Sequence, residues 1–133
     1  QNTFRLARTG QAPLQFQGEM IAESAGRCQA GREQNRWHDL AIYRTAGGTY
    51  VVAIHYHTQW QGEVGYDLAE LVEYGNRIVE VFRKYDPTEH VVGYPPGEAY
   101  ADRQARLMAG IRERYESQVS ELLDSDEFAE DIE

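Results

Sequence analysis

From residue 14 to residue 22 apolar and polar side chains alternate. Leu14, Phe16, Gly18, Met20 and Ala22 fall on one side, and Gln15, Gln17 and Glu19 on the other. Period two predicts a half-buried strand, with Gly18 marking a bulge or a close backbone approach. Residues 3–8 alternate more weakly, with Phe4 and Leu6 on one side, and residues 9–13 (TGQAP) read as a turn. The strongest local pattern is the pair of arms 37–45 and 49–60 around Ala46-Gly47-Gly48. Both arms are rich in β-branched and aromatic residues and the loop is glycine-rich, so a β-hairpin is predicted. Its register follows from matching the apolar sets. A three-residue loop pairs Thr45 with Thr49, Ile42 with Val52 and Leu40 with Ile54. Asp39 then stands opposite His55 and Trp37 opposite His57, while His38 turns to the core face.

The period changes after the polar connection 61–66. Leu68, Leu71, Val72, Ile78, Val79, Phe82 and Tyr85 fit one apolar helical stripe, with Asp67 as N-cap and Asp86-Pro87 as the stop. Gly75 is a weak point in that helix and a place for close packing on the sheet. A Pro-rich connection ends in Tyr94-Pro95-Pro96-Gly97. A second helix is expected from Glu98 to Leu123 on the spacing of Ala101, Met108, Ile111, Tyr115, Val119 and Leu122. Strands followed by helices predict one α+β domain over residues 1–123: an antiparallel meander of three or four strands, then two helices, in two layers. Residues 124–133 are expected to form an acidic tail.

Composition adds constraints without naming a function. The chain has 133 residues and is 41% apolar, enough for one core. No run is long and apolar enough to span a membrane, and no secretory leader opens the sequence. Cys28 is the single cysteine, so no internal disulfide can form and the reducing cytoplasm is the expected compartment. The net charge is −9, and the stretch from Glu121 to Glu133 holds seven acids and no base. Such blocks often serve as interaction segments, and Phe128 and Ile132 offer it two apolar anchors. Direct nucleic-acid binding is not favoured by this charge. The local exception is the Gly-containing stretch 25–36, where Arg27, Arg32 and Arg36 suit capture of carboxylate or phosphate.

Two histidines at i and i+2 of a strand, His55 and His57, share a face. With Asp39 they are candidate metal ligands, since neutral imidazole suits zinc and iron. The run Gly48…His55-Tyr56-His57…Glu63 is somewhat similar to the metal motif of cupins, with spacings that depart from it. In the alternative arrangement His55 pairs with Asp39 and His57 stacks on Trp37. No nucleophile elbow, phosphate loop or dinucleotide fingerprint occurs. Trp37, Tyr43 and Trp60 lie outside the core-facing set of the hairpin, and such aromatics favour interfaces.

Phe16-x-Gly18 with Ile21-Ala22, then Tyr43-Arg44-Thr45-x-x-Gly48-x-Tyr50-x-Val52 and Trp60, resembles the β-rich part of the EXLDI family over about residues 14–60. At the far end, Asp131 and Ile132 agree with that family's closing motif. The resemblance implies a small bacterial protein without an assigned activity. The expected function is a non-enzymatic, cytoplasmic protein-interaction module, an accessory or regulatory subunit or inhibitor, forming a homodimer and needing no cofactor. Its contact residues would be Trp37, Tyr43, His55, His57 and Trp60 on the sheet, Arg27, Arg32 and Arg36 on the loop, and Phe128 and Ile132 on the tail. The alternatives are a metal-dependent enzyme on His55, His57 and Asp39, and a nucleic-acid accessory protein contacting phosphate through the Arg loop.

Overall fold

A computed structural model describes residues 2–27 and 35–124. Five strands, β1 (Asn2–Arg8), β2 (Gln11–Ala25), β3 (Arg36–Thr45), β4 (Tyr50–Thr58) and β5 (Tyr66–Val72), form an antiparallel meander in sequence order. Two helices follow, α1 (Ile78–Lys84) and α2 (Ala101–Leu123), each entered through a short 3-10 turn. The class is α+β, as expected, with five strands where three or four were predicted. Among the described residues no helix is long and apolar enough to cross a membrane.

The central hairpin has the register deduced from its apolar sets: Leu40 faces Ile54, Ile42 faces Val52 and Trp37 faces His57. Its loop closes by backbone and side-chain bonds between Thr45 and Thr49, the two hydroxyls lying 2.6 Å apart. The fifth strand is the correction. Residues 66–72 pair with β4, so Asp67 faces His55 and is not a helix N-cap. Leu68 and Val72 point to the helices while Ala69 and Leu71 point to the other face. Apolar residues on both faces of a strand reproduce helical spacing, which is why the stripe looked continuous. Helix α1 starts only at Ile78, and Gly75 lies in the 3-10 turn before it. The second helix runs where it was expected.

One face of the sheet carries the helices. Ile42, Val52 and Ile54 of the sheet pack with Ile78 and Phe82 of α1 and Tyr115 and Leu122 of α2. The other face is covered by the sheet itself. Phe4 of β1 lies 4.8 Å from Tyr43 of β3, across the intervening strand, and Phe16 lies 5.4 Å from Tyr43. That contact requires strong curling. The curl brings β1 round to β5, where the Thr9 N–H donates to the Asp67 carbonyl and the Asp67 N–H to the Thr9 hydroxyl, both at 2.8 Å. Ala41, Ala53 and Ala69 stand abreast on three neighbouring strands at the middle of this inner face. Small side chains there let the sheet close without overfilling its interior.

The alternation in β2 changes face midway. A bulge between Met20 and Ala22 shifts the register, so Leu14 and Phe16 pack inside while Ile21 and Ala22 join the helix-side core. Gly18 marks a close approach: a Cβ there would lie 2.1 Å from the Arg44 carbonyl oxygen.

Candidate functional site

The inner face fills from one end only. Beyond the alanine tier the same face carries Asp39, His55 and Asp67 abreast, and beyond them Trp37 and His57. Alternation along β3, β4 and β5 puts all five on one side. Burial falls from complete at Val51 and Ala53 to partial at this rim, where the side chain of His57 is 43% exposed.

Two imidazole–carboxylate pairs form there. His55 Nδ1 lies 2.7 Å from Asp67 Oδ1, directly across the β4–β5 ladder. His57 Nε2 lies 2.8 Å from Asp39 Oδ2, a diagonal contact across β3 and β4. The expected pairing of Asp39 with His55 is therefore replaced. Asp67, which β5 brings opposite His55, takes that partner, and diagonal neighbours on antiparallel strands remain within reach of long side chains. The Asp39 carboxylate is further fixed by the Gly26 N–H, 3.0 Å from its Oδ1. Gly26 is needed at that position, since a Cβ would meet the His38 carbonyl oxygen at 2.1 Å.

Trp37 and His57 stack at 5.3 Å with 20° between their planes, as the sequence suggested. The Arg27 guanidinium sits 4.9 Å from the Trp37 ring centre. Arg27, Trp37 and His57 thus form a stacked row, anchored through Asp39 to the backbone of Gly26. Arg over Trp is a favourable cation–π geometry.

The metal arrangement does not assemble. Among the described residues no group of three or more His, Cys, Asp or Glu side chains gathers to hold a metal ion. Each histidine uses one ring nitrogen on its own carboxylate, and the two rings are 6.4 Å apart. Glu63 of the cupin-like run faces elsewhere. It accepts bonds from Arg36, the Tyr56 hydroxyl at 2.8 Å and the Thr58 hydroxyl at 3.0 Å. Burial alone would raise the Glu63 carboxyl, but hydrogen bonds from Arg36, Tyr56 and Thr58 outweigh it and hold it down at about 2.

Two expected contact residues are internal. Tyr43, expected outside the core-facing set, is buried beneath Phe4 and Phe16, because the sheet curls over its own second face. Arg36 is buried and bidentate to Glu63, so it is not an open phosphate ligand beside Arg27. Its guanidinium lies 5.1 Å from the centre of Trp60, which is half exposed but belongs to this second cluster. Arg32, Cys28, Phe128 and Ile132 lie outside the described residues.

Sequence reading missed a polar cluster under α2. His38 is buried as expected, its Nε2 3.1 Å from the Tyr85 hydroxyl, with Tyr56 and Tyr115 against its ring. Gln118, also buried, donates to the His38 carbonyl at 2.9 Å and reaches Ser24. The signal was a polar residue in the series Ile111, Tyr115, Gln118, Leu122, all of which are buried. Burial, with the neighbouring charges of His57 and Arg114, pushes the His38 imidazole down to about 4. The gap beside it is about 10 Å³, room for no more than a water molecule. Compared with known proteins, the chain matches no family model, no curated protein and no solved structure.

Proposed function

We propose that the chain is a non-enzymatic protein-interaction module whose contact surface is the open rim of the inner sheet face. The observation that carries this reading is the stacked row of Arg27, Trp37 and His57, held in place by Asp39 and the Gly26 backbone. Arg and Trp supply much of the binding energy at protein interfaces, and pre-ordered side chains lose little entropy on binding. Beside the row stands the second pair, His55 with Asp67.

The partner we favour is a second copy of the chain. The rim carries a cation at Arg27 and carboxylates at Asp39 and Asp67, a self-complementary set. A two-fold contact would place the Arg27 of each copy near the carboxylates of the other. Trp60, on the neighbouring cluster, would extend the contact at its edge. Native mass spectrometry across a micromolar dilution series tests this. A dimer that becomes monomeric in Trp37→Ala and in Arg27→Glu supports the reading. A chain that is monomeric throughout, or a dimer unmoved by both substitutions, overturns the homodimer. A stoichiometric bound metal in the same spectra would overturn the non-enzymatic reading.

A further inference from the structure

The curl of the sheet brings its two edges, β1 and β5, together at Thr9 and Asp67. Among the described residues the two bonds there are the only hydrogen bonds across that seam. They fix the direction of the β5 main chain. Both main-chain groups of Asp67 point away from β4. Alternation along an antiparallel ladder points those of Ala69 and Leu71 the same way, while Leu68, Glu70 and Val72 bond to β4. The outward N–H and C=O of Ala69 and Leu71 have no hydrogen-bond partner among the described residues. Ala69 is only 6% exposed, so its unpaired groups reach little water, which is costly for main chain.

Open space flanks this edge on both sides. A cleft of about 330 Å³ separates residues 66–71 from Arg8, Thr9 and Gln11. A second, of about 380 Å³, lies between residues 70–74 and the side chains of Arg77, Glu80, Val81 and Lys84. The two meet at Glu70 and Leu71, and Leu71 is exposed. Sheet edges are commonly blunted by irregular pairing, Lys or Pro. β1 has such a break, a register shift between Leu6 and Arg8. β5 keeps an unbroken register with β4 from Tyr66 to Val72 and contains no Pro and no base.

What fits a row of unpaired main-chain groups is another strand. A second β5 fits badly. Pairing Ala69 of one copy with Leu71 of the other, and the reverse, would set Glu70 directly opposite Glu70, and like charges so placed are destabilising. The wider surroundings are close to neutral: Arg8, Arg77 and Lys84 stand against Asp67, Glu70, Glu73 and Glu80. The charge of an added strand is therefore set by its direct neighbour, Glu70, whose side chain has no ion-pair partner among the described residues. We propose that the outer edge of β5 is a strand-addition site for an extended segment of a partner protein, with Lys or Arg opposite Glu70 and apolar residues opposite Ala69 and Leu71. This inference does not rest on the rim reading, because Leu71 stands opposite Val51, at the far end of the inner face from Trp37 and His57.

Hydrogen exchange of the full chain, resolved by residue with NMR, tests it. In the free chain the Ala69 and Leu71 amides should exchange at least about tenfold faster than those of Glu70 and Val72. The blocked peptide Thr-Val-Lys-Val-Thr, at millimolar concentration, should slow Ala69 and Leu71 at least about threefold, and the same peptide with Glu at its centre should not. Glu70→Lys should reverse that preference. Leu71→Pro removes only an N–H that points away from β4, so peptide protection of Ala69 should vanish while the Leu68 and Glu70 amides stay slow. Ala69 and Leu71 amides as slow as their neighbours in the free chain overturn the inference. So does an absence of protection by the Lys peptide, or protection that ignores the peptide's charge. Protection that grows with protein concentration without peptide assigns the edge to a second copy and also overturns it.

Discussion

Acidification should weaken this protein well above the range where carboxylates titrate, and His38 is the reason. The imidazole is buried among Tyr56, Tyr85 and Tyr115, and its pKa is lowered from 6.5 to about 4. The folded state therefore favours the neutral ring, and the unfolded state binds the proton first. The stabilisation is complete above pH 6.5 and is lost as pH falls toward 4. With those two values, linkage gives a loss of about 2 kcal/mol between pH 7 and pH 5, and about 3 kcal/mol by pH 4. For a chain of this size 2 kcal/mol corresponds to a fall in Tm of roughly 6–10 °C. Glu63 adds a loss of the same sign, but in a lower window: its folded pKa is about 2 against 4.5, so that contribution disappears only as pH falls from 4.5 toward 2. The assay is urea unfolding at pH 7, 6 and 5, run on the native chain and on His38→Phe. Phe keeps an aromatic ring of similar size and cannot titrate. It starts lower at pH 7, because the Tyr85 hydroxyl loses its partner. The part of the acid loss caused by His38 should vanish in the variant. Parallel pH profiles for the two proteins would refute the argument. So would a His38 NMR titration with a midpoint near 6.5.

The remaining predictions concern positions where neighbouring atoms leave little freedom. Glu63→Gln should cost about 3–5 kcal/mol, because it removes the charge that compensates buried Arg36, and chemical denaturation at pH 7 reads this directly. Gly26→Ala should destabilise by roughly 2 kcal/mol or more, since its Cβ would meet the His38 carbonyl oxygen at 2.1 Å. It should also shift the His57 NMR signals, as Asp39 loses its backbone anchor. Ala53→Leu should cost about 1–3 kcal/mol by overfilling the alanine tier, whereas Leu71→Gln on the exposed end of β5 should stay within about 0.5 kcal/mol. Thermal melts of the two variants side by side check the contrast.

The central hairpin was legible because both arms carry a one-sided apolar set and the loop allows a single match between them. Thr45 with Thr49 and Leu40 with Ile54 followed from that match alone. β5 was not legible, because Leu68 and Val72 meet the helices while Ala69 and the exposed Leu71 point to the opposite face. The absence of β5 from the sequence reading had a direct cost at the candidate site: without Asp67 opposite His55, the carboxylate left for His55 was Asp39. The stacking of His57 on Trp37 survived, since it depends only on the hairpin. Tyr43 was expected on a contact surface for a different reason. Curvature is a property of the whole sheet, and nothing in β3 announces that Phe4, two strands away, will cover it.

The same curvature explains why the rim has the composition it has. An inner face that closes on itself can bury aromatics only where β1 and β2 reach over it, at Phe4, Phe16 and Tyr43. In the middle it is lined by small residues, Ala41, Ala53 and Ala69, which close the face without overfilling it. Beyond that tier water reaches the face and polar groups are tolerated, provided each has a partner. Asp39 and Asp67 meet that condition for His57 and His55, and the pairing fixes side chains that would otherwise sample several rotamers. The outermost row is therefore both half exposed and held in one geometry, the combination that favours binding at low entropic cost. Replacing Asp39 by Ala should separate these two properties. Trp37 would keep its exposure, but His57 would lose its partner and the stack its order. The dimer proposed for this face should then weaken by about tenfold or more, about 1.4 kcal/mol, while the fold stays intact. If dimerisation proves indifferent to Asp39, the stacked row is a surface detail and the contact lies elsewhere.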